Sequence, residues 1–459
     1  MELENALARF RERFERSGEP PEAWESFERL YRRYRAGATG KIPWEEVSPP
    51  DEGDLVPLRA VETDPFREAG EKNLRRLAWI VLNGGLGTSM KMDRAKSLVP
   101  VKGDQTFLDL LAEFVRGFRE RTGVRLPVVF MNSFATREDT LQALERHALA
   151  VHGLPLDFVQ HRFPRIRARD GMPFGDADAR EAWAPPGHGN LYAALQASGL
   201  LESLRNRGIR WVFVSNADNL GASPAPAILG WMASEGYEFV MEVTPKTAAD
   251  VKGGTLVRRQ GRLELLEIAQ VPDEHVAEFQ DVGTFPVFNT NNLWIDLEAL
   301  TDRLGEGALD LPLIVNRKEV AGEPVIQLET AMGAAIGAFE RAAGLVVDRR
   351  RFAPVKTTDD LVVRRSDLYV PGTQSPLEPN PARDPSLGPP VVRLDPAYYK
   401  SVPDVDLRIP HPLGLVSAKR LEVRGDVRFG KGIVIRGTVR VENPDHQPLR
   451  VPDGTVLTG

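Results

Sequence analysis

An apolar run that ends in a glycine-rich turn constrains this chain more than any other feature of its sequence. Residues 77–82, Leu-Ala-Trp-Ile-Val-Leu, have the length and the branched content of a buried strand. The turn that follows, Asn83-Gly84-Gly85-Leu86-Gly87, cannot continue a strand. Three glycines in four positions permit positive φ values and let backbone N–H groups approach an anionic ligand. The composition therefore predicts a phosphate-binding loop.

The residues just beyond the loop add hydroxyl donors and cations, which are Thr88, Ser89, Lys91, Arg94 and Lys96. The spacing is not that of a P-loop, and Met90 stands where the dinucleotide-binding fingerprint requires its last glycine. A tight turn between a strand and a helix is the alternative interpretation. The downstream lysines and hydroxyls favour the phosphate site.

The overall composition narrows the class of protein. A chain of 459 residues is long for one domain, so we expect two or three domains. Hydrophobic residues make up 42% and charged residues 27%, which is typical of a globular protein. No apolar run approaches the roughly 20 residues needed to cross a bilayer, and the first residues lack a signal-peptide pattern. We expect a cytoplasmic protein that does not interact with membranes.

Charge and cysteine content exclude several kinds of site. The chain has no cysteine, which excludes disulfides, thiolate zinc sites and a cysteine nucleophile. Any metal must therefore be bound by oxygen or histidine. With 65 acidic and 59 basic side chains the formal net charge is −6, so nucleic acid is not expected as a partner. A small anion is the better candidate.

Strand and helix patterns alternate after the glycine loop. A helix is predicted at 106–122, and further buried strands at 128–133, 156–160 and 211–214. This alternation predicts an α/β fold with a mainly parallel sheet. Ligands bind beyond the carboxyl ends of such strands, so we expect Asn83, Met131, Asn132, Gln160 and Asp218 to face one crevice.

The segments around this sheet give further predictions. Residues 1–36 read as two amphipathic helices separated by Pro20-Pro21, which form a packing arm. A helix is expected from Leu191 to about Leu204, preceded by Pro185-Pro186-Gly187-His188-Gly189. A helix N-terminus favours phosphate, although a histidine in a turn is more often structural.

The second half of the chain contains less regular patterns. Strands at 239–244, 256–257, 263–271 and 288–296 indicate an antiparallel extension over one side of the crevice. Its three closely spaced asparagines suit either the hydroxyls of a ligand or turn capping. A helix is predicted from Val325 to about Ala343. The loop at 351–360 places Lys356 as a second cation in the crevice.

The C-terminal region has its own periodicity. Residues 371–405 are rich in proline and read as a linker, and two apolar rows then recur every six residues from Leu421 and Val423. This period indicates a parallel β-helix of about one coil, used for packing or oligomerisation. Four parts are predicted. They are an N-terminal helical arm with a linker at 1–65, a catalytic domain at 66–370, a second linker at 371–405 and a left-handed β-helix-like domain at 406–459.

The motifs together resemble one known family. Leu82-Asn83-Gly84-Gly85-Leu86-Gly87-Thr88-Ser89-Met90, followed by Lys96-Ser97-Leu98, is similar to the nucleotide-binding signature of eukaryotic-type UTP–glucose-1-phosphate uridylyltransferases, also called UDP-glucose pyrophosphorylases. Related pyrophosphorylases for N-acetylhexosamines or for many sugars usually begin this motif with Ala-Gly-Gly. The resemblance continues in order over roughly residues 75–370. It departs at Lys91, Ala95, Ala184 and Asn190, where the family usually has glycine, proline, tyrosine and aspartate.

The resemblance implies a fold and a set of site residues. The fold is a mixed, mainly parallel nucleotide-binding sheet flanked by helices (Rossmann-like, nucleotidyltransferase type A). The implied catalytic cations are Lys96, on the nucleotide phosphates, and Lys356, between the reacting phosphates. Asp218 is implied as the ligand of Mg²⁺. The implied nucleotide contacts are Leu82, Asn83, Gly84, Gly85, Met131, Gln160, Pro186 and Gly187. The implied substrate contacts are His188, Asn216, Asn219, Gly254, Glu267, Asn289, Asn291 and Glu329.

The implied activity is transfer of a uridylyl group from UTP to glucose 1-phosphate, which gives UDP-glucose and pyrophosphate. Such in-line transfer depends on positioning and charge neutralisation and needs no covalent nucleophile, as suits a chain without cysteine. Two alternatives remain. One is a sister enzyme that uses another sugar 1-phosphate or dTTP. The other is a nucleotide-sugar-binding scaffold without catalysis.

Overall fold

The computed structural model describes residues 2–87, 90–92, 94–247, 253–307, 309–445 and 447–459. The predicted hydroxyl donors Thr88 and Ser89 lie outside these residues. Within them, no helix is long and apolar enough to cross a membrane.

The strands of the described residues are numbered in chain order. They are β1 Val47–Ser48, β2 Leu55–Pro57, β3 Leu77–Asn83, β4 Pro100–Lys102, β5 Gln105–Thr106, β6 Val128–Asn132, β7 Asp157–Val159, β8 Phe163–Pro164, β9 Ile166–Arg167, β10 Trp183–Ala184, β11 Trp211–Asn216, β12 Phe239–Pro245, β13 Thr255–Arg259, β14 Arg262–Leu266, β15 Val287–Asp296, β16 Ile314–Val320, β17 Glu323–Glu329, β18 Ala342–Val346, β19 Tyr369–Pro371, β20 Leu377–Pro379, β21 Val391–Leu394, β22 Ala418–Arg424, β23 Val427–Phe429, β24 Val434–Glu442, β25 Leu449–Val451 and β26 Val456–Thr458.

The α-helices are numbered in the same way. They are α1 Glu2–Ser17, α2 Pro21–Arg35, α3 Leu58–Val61, α4 Asp64–Asn73, α5 Phe107–Thr122, α6 Arg137–Leu144, α7 Leu191–Ala197, α8 Leu200–Asn206, α9 Pro226–Glu235, α10 Val276–Gln280, α11 Leu297–Gly305, α12 Thr358–Arg365, α13 Pro396–Tyr399 and α14 Val402–Arg408.

Eight strands form the central sheet, in the order β2-β18-β12-β15-β11-β3-β6-β7. Neighbouring strands are parallel except for the two pairs that β15 makes with β12 and β11. The predicted α/β fold with a mixed, mainly parallel sheet is therefore confirmed. The predicted antiparallel extension is placed differently, because β12 and β15 are part of this central sheet.

Strand β3 lies at the middle of the fold and is buried at every position. Its alternate residues enter two different cores: Ala78, Ile80 and Leu82 face one, whereas Leu77, Trp79 and Val81 face the other. A strand that is covered on both faces needs a continuous apolar run. This explains why residues 77–82 carry such a strong strand signal.

Helix α5 has capping residues at both of its ends. The Thr106 side chain accepts a hydrogen bond from the Asp109 amide, the Asp109 carboxylate accepts one from the Thr106 amide, and Gly123 ends the helix with φ 66°. This is a capping box at one end and a left-handed glycine at the other. The helix predicted at 106–122 is confirmed.

The N-terminal helices α1 and α2 are also confirmed. Their apolar faces pack on β8, β9 and β17 through a cluster that includes Phe10, Phe14, Phe27 and Phe163. The Phe27 and Phe163 rings meet edge to face at 5.4 Å. The arm is therefore anchored to the chain segment that follows Gln160.

Three sequence predictions are wrong in the described structure. The helix expected from Leu191 to Leu204 is broken into α7 and α8, because Gly199 adopts φ 70° between them. The helix expected from Val325 to Ala343 is strand β17, then a 3-10 segment at Met332–Ala338, then strand β18. The strand predicted at 263–271 ends at Leu266.

The error at 325–343 has a physical cause. The apolar run of β17 pairs antiparallel with β16 over seven positions, and β18 pairs parallel with β12 and β2. A short apolar run suits either a buried helix or a strand, and partners distant in sequence decide between them.

The proline-rich segment 371–405 is more ordered than a linker. It contains β20, β21, α13 and α14, and β21 pairs parallel with β22. The Tyr399 hydroxyl donates a hydrogen bond to the Val427 carbonyl and ties α13 to β23. Beyond it, β22, β24 and β26 pair in parallel, as do β23 and β25. The residues Leu421, Val427 and Ile433 of one predicted apolar row are buried.

Candidate active site

A cavity of about 320 Å³ lies at the carboxyl ends of β3, β6 and β11. Eleven residues that the sequence predicted for the site line it, namely Leu82, Asn83, Gly84, Gly85, Lys96, Met131, Gln160, Gly187, His188, Asn216 and Asp218. Parallel strands present their carboxyl ends at one edge of a sheet, which is why segments far apart in sequence meet here.

Two glycines of the loop leave room for neighbouring side chains, and none of the three adopts an unusual backbone angle. A Cβ atom added to Gly84 would lie 2.6 Å from Gln160 Nε2, and one added to Gly87 would lie 2.8 Å from Met92 Sδ. A Cβ added to Gly85 would have open space around it, and none of the three glycines has φ in the left-handed region. These glycines therefore do not use the positive φ values that glycine permits. Gly84 instead makes room for the Gln160 amide.

Lys91, which stands where the family usually has glycine, does adopt a left-handed conformation with φ 55°. Its side chain is exposed. The Ser401 hydroxyl is the main cause that lowers the pKa of Asp404 in α14, and the Lys91 charge contributes to the same shift. Lys91 therefore combines a strained backbone conformation with a charge interaction with Asp404 in α14.

Replacing Lys91 by glycine should stabilise the protein. The left-handed conformation costs a residue with a Cβ about 1–2 kcal/mol, and the extra freedom of glycine in the unfolded chain offsets part of this gain. We expect a net increase of about 0.5–1 kcal/mol in the free energy of unfolding, measured by urea denaturation. Lys91→Ala is the control, since it removes the charge but keeps the strain. Equal stability of the glycine and alanine variants would contradict the strain argument.

An ion pair between Lys96 and Asp218 occupies one side of the cavity. Lys96 Nζ donates a hydrogen bond to Asp218 Oδ2, and the two side chains are 17% and 18% exposed. The Lys96 backbone amide donates to the Gly85 carbonyl at 3.2 Å, which ties the lysine to the glycine loop. A cation and a carboxylate, both reachable from the cavity, suit a ligand that carries phosphate and a divalent metal.

Gln160 and Met131 lie beside the glycine loop. The Gln160 backbone amide donates to the Asn132 carbonyl at 2.8 Å, while its side-chain amide has no hydrogen bond to any described residue. Asn83 differs, because its side-chain amide donates to Asn132 Oδ1 at 2.9 Å and to Thr140 Oγ1 at 2.8 Å. Asn83 therefore braces β3 against β6 and α6, whereas Gln160 lines the cavity.

His188 is held as a neutral hydrogen-bond donor. Its Nδ1 accepts a hydrogen bond of 2.9 Å from the Met332 amide, so the proton of the neutral ring is on Nε2. Burial lowers the pKa of His188 to about 4. The preceding Gly187 has φ 78°, and a Cβ there would lie 2.4 Å from the Thr330 carbonyl oxygen. Only glycine fits at 187, and the imidazole is uncharged at neutral pH.

The low pKa of His188 predicts a pH dependence of stability. The unfolded chain binds a proton at His188 below about pH 6.5 and the folded protein only near pH 4, so this residue lowers stability as the pH falls through that window. The effect should be roughly 2 kcal/mol after allowance for partial solvent access. Urea denaturation of the parent and of His188→Gln from pH 7 to 4 measures it. The parent should lose more stability than the variant, and parallel profiles would contradict the neutral, buried state.

A second cluster gathers five further predicted residues, which are Gly254, Glu267, Asn289, Asn291 and Lys356. A Cβ on Gly254 would lie 2.8 Å from the Glu267 carboxylate, and the Asn289 amide donates to the Gly254 carbonyl at 2.9 Å. Asn289 Nδ2 donates to Asn291 Oδ1 at 2.9 Å. The structure therefore groups these residues near the start of β15 and the start of β13.

Charge and burial characterise this cluster. Burial raises the pKa of Glu267, and the nearby Lys356 charge opposes that shift. Lys356 Nζ also lies over the Phe288 ring at 5.2 Å from its centre. The cluster thus combines amides, a carboxylate and an ammonium group, which are the groups that bind hydroxyls and phosphate.

Three predicted residues lie at the margin. Pro186 accepts a hydrogen bond from the Thr330 amide at 3.0 Å and lines a neighbouring cavity against α2. Glu329 accepts one from Asn316 Nδ2 at 3.1 Å, and burial raises its pKa. The side-chain amide of Asn219 is bonded to protein groups at both its oxygen and its nitrogen.

Four residues that line the cavity were not among the predicted site residues, namely Leu86, Ser97, Pro185 and Ala217. Ser97 is 2% exposed and lines the cavity, and its hydroxyl has no hydrogen-bond partner among the residues that the structure describes. Its position inside the Lys96-Ser97-Leu98 motif was the available signal. Among the described residues, no group of three or more histidine, aspartate or glutamate side chains is placed to bind a metal.

Known proteins resemble this chain in both sequence and structure. A family model described as UTP–glucose-1-phosphate uridylyltransferase matches residues 24–436. The chain belongs to the UTP–glucose-1-phosphate uridylyltransferase family. This confirms the resemblance that the glycine loop and the Lys96 motif indicated.

Members of the family match nearly the whole chain. The UTP–glucose-1-phosphate uridylyltransferase of Solanum tuberosum is 41% identical over 440 residues, which cover 94% of this chain and 90% of the relative. That of Saccharomyces cerevisiae is 38% identical over 442 residues, which cover 94% and 87%.

Solved structures of the family have the same fold. A UDP-glucose phosphorylase from Trypanosoma brucei superposes with a TM-score of 0.88 at 36% identity, covering 99% of this chain and 100% of that one. A mutant UDP-glucose pyrophosphorylase from Leishmania major, solved in complex with UDP-glucose, gives 0.89 at 37% identity, covering 99% and 98%.

Proposed function

We propose that this protein transfers a uridylyl group from UTP to glucose 1-phosphate and forms UDP-glucose and pyrophosphate. The observation that carries the proposal is that one cavity is lined by a glycine loop, a lysine–aspartate pair and a glutamine whose side-chain amide has no hydrogen bond among the described residues. Membership of the family supports the same reaction.

The base is assigned to the side of the cavity at Gln160. A uracil edge presents a donor next to an acceptor, and the glutamine amide offers the complementary pair. Gly84 keeps that amide in place because its missing Cβ leaves the space that Gln160 Nε2 occupies. Met131, which is 1% exposed, supplies an apolar wall for the ring. Leu82 and the backbone of Asn83 border the same space.

The phosphates are assigned to the opposite side. Gly85 has open space at its Cα, so its backbone can approach a phosphate closely. Lys96 supplies a cation, and His188 donates through Nε2–H without adding charge. Asn216 and Gly187 complete this wall.

Asp218 fits the role of a magnesium ligand. Mg²⁺ takes oxygen ligands and often uses one or two carboxylates together with phosphate oxygens and waters. Asp218 supplies one carboxylate at the cavity wall, so the donor set is adequate when a triphosphate provides the rest. When bound, Mg²⁺ would neutralise phosphate charge at this point. The Lys96 ammonium shares the carboxylate and is placed to interact with the same phosphates.

The transfer step follows from these assignments. A phosphate oxygen of glucose 1-phosphate attacks the α-phosphorus of UTP, the new P–O bond forms, and the bond to the β-phosphate oxygen breaks as pyrophosphate leaves. Lys96 and Lys356 would stabilise the charge that is shared between the attacking and leaving groups. Gly254, Glu267, Asn289, Asn291 and Glu329 are proposed contacts for the sugar hydroxyls.

The test is pyrophosphate release from a matrix of nucleotides and sugars. UTP, dTTP, ATP, CTP and GTP are each combined with glucose, galactose and N-acetylglucosamine 1-phosphates, with and without Mg²⁺. We expect release only from UTP with glucose 1-phosphate and Mg²⁺. Release from another pair would indicate a sister specificity, and no release from any pair would favour a binding scaffold.

Other features also remain proposals. The parallel pairs of β22 to β26 support a small C-terminal β-helix, and its exposed Leu449 and Val456 support a role in oligomerisation. The four-part division of the chain and a cytoplasmic location stay predictions. Size-exclusion chromatography with light scattering would test the oligomer.

A further inference from the structure

A buried hydrogen-bond network joins the loop that carries Asp218 to the loop that leads to Lys356. We call it the Asn219 network and define it as Asn219, Glu242, Asn292 and Arg351. The side chains of Asn219, Glu242 and Asn292 are buried, and that of Arg351 is 13% exposed. The proposed reaction uses none of them, although the family resemblance implied Asn219 as a substrate contact.

The Asn219 amide is fully used within the protein. Its Oδ1 accepts from the Ala353 amide at 2.8 Å and from the Gly221 amide at 3.3 Å. Its Nδ2 donates to the Arg351 carbonyl at 3.1 Å and to Asn292 Oδ1 at 3.2 Å. An amide oxygen accepts two hydrogen bonds and an NH₂ group donates two, so no capacity is left for a sugar hydroxyl. Its hydrogen bonds to the Arg351 carbonyl and from the Ala353 amide hold residues 351–353 in place.

Glu242 anchors the network from the central sheet. Its carboxylate accepts from Arg351 Nε at 2.9 Å and Nη2 at 2.6 Å, from Asn292 Nδ2 at 3.0 Å and from Trp294 Nε1 at 2.9 Å. Glu242 is fully buried in β12, and Asn292 is its partner across to β15. A buried ion pair whose remaining hydrogen bonds are all made holds one arrangement rather than several.

The loop 351–357 is therefore fixed at both ends. Arg351 and Ala353 are held by the Asn219 network, and the amides of Lys356 and Thr357 both donate to Asp360 Oδ2 at 2.9 Å. Asn219 directly follows Asp218. A Cβ on the neighbouring Gly221 would lie 2.4 Å from the Arg350 carbonyl oxygen, so the two loops are also in close contact. This contact leaves little freedom between Asp218 and Lys356.

We infer that Asn219 is a positioning residue that sets the distance between Asp218 and Lys356, and that it is not a sugar contact. The inference rests on the proposed function, because it assigns Asn219 to the geometry of that reaction. Small displacements of charged groups at a reacting phosphate reduce turnover far more than substrate binding. The expected signature is a loss in kcat with little change in KM.

Asn219→Ala tests this directly. We expect kcat to fall about 30- to 100-fold, while KM for UTP and for glucose 1-phosphate each stay within about threefold. Asn443→Ala is the matched control, since Asn443 is another buried asparagine whose Nδ2 donates to the carbonyls of Asp426 and Gln447 and whose Oδ1 accepts from the Asp445 amide. It should lower Tm but leave kcat unchanged.

A double-mutant cycle with Lys356→Ala separates positioning from general destabilisation. If Asn219 acts through the position of Lys356, adding Asn219→Ala to Lys356→Ala should reduce single-turnover rates by less than about threefold. If the rate of the double variant fell by the product of the two single-variant factors, the inference would be overturned. Asn219→Asp keeps both acceptor interactions and loses both donors. It should therefore give a kcat between those of the parent and Asn219→Ala. This variant replaces Asn219→Ala in the test if the alanine variant does not fold.

The outcomes separate this inference from the proposed function. A rise confined to KM for glucose 1-phosphate in Asn219→Ala would restore the sugar contact, and an unchanged kcat with lower Tm would show a merely structural role. Either result overturns only the inference. Absence of turnover in the parent and in Asn443→Ala would overturn the proposed function, and the inference with it.

Discussion

Lys356→Ala should reduce kcat by about 10²- to 10³-fold and leave the affinity for UTP within about threefold. Lys356 is exposed, lies over the Phe288 ring and interacts with the charge of Glu267. It therefore belongs to the proposed sugar-phosphate side of the site and not to the lining of the nucleotide cavity. A cation that acts only on the reacting phosphates contributes mainly to the transition state.

The measurement is steady-state pyrophosphate release together with UTP binding by calorimetry. Lys419→Ala is the control, because Lys419 is an exposed lysine on β22 in the C-terminal region. That variant should match the parent in both assays. If Lys356→Ala lost UTP affinity in proportion to kcat, Lys356 would be a ground-state nucleotide contact.

Gly84→Ala should weaken UTP binding by about 10- to 100-fold with little loss of stability. The added Cβ would lie 2.6 Å from Gln160 Nε2 and 3.2 Å from its Cδ, so the glutamine side chain must move away from the proposed base position. The end of a flexible side chain moves at low cost, which is why the fold should tolerate the change. The loss should appear as a higher Kd for UTP.

Gly53→Ala provides a control for this change, because Gly53 is exposed and does not line the cavity. Its added Cβ would have no atom within 4 Å, and neither glycine has a left-handed φ. The Gln160 side chain should keep its position, so UTP affinity should stay close to that of the parent. Calorimetric titration with UTP and with UDP-glucose compares the two variants. Equal losses at both positions would contradict the displacement of Gln160 as the cause.

Local patterns predicted the centre of the fold well. The run at 77–82 and the caps at Thr106 and Gly123 carry their own structural signal, because burial on both sheet faces and helix capping depend on neighbouring residues. The convergence of Gln160 and Asp218 also followed from the general rule for strand ends in parallel sheets.

Features that depend on distant partners were not predictable in this way. Strand β17 was taken for a helix because its pairing with β16 and β9 is not encoded in its own apolar run. Gly84 is explained by Gln160, which lies 76 positions later in the sequence. The role of Asn219 depends on backbone groups of Arg351 and Ala353, which are separated from it by 132 and 134 positions.

The central claim is that one cavity binds the nucleotide between Gln160 and the Lys96–Asp218 pair. A crystal structure of this protein with UDP-glucose tests it most directly. We predict the uracil edge on the Gln160 amide, the diphosphate beside Lys96 and His188, and the glucose next to Gly254 and Asn289. A uracil placed away from Gln160, or a diphosphate without contact to Lys96, would contradict the account.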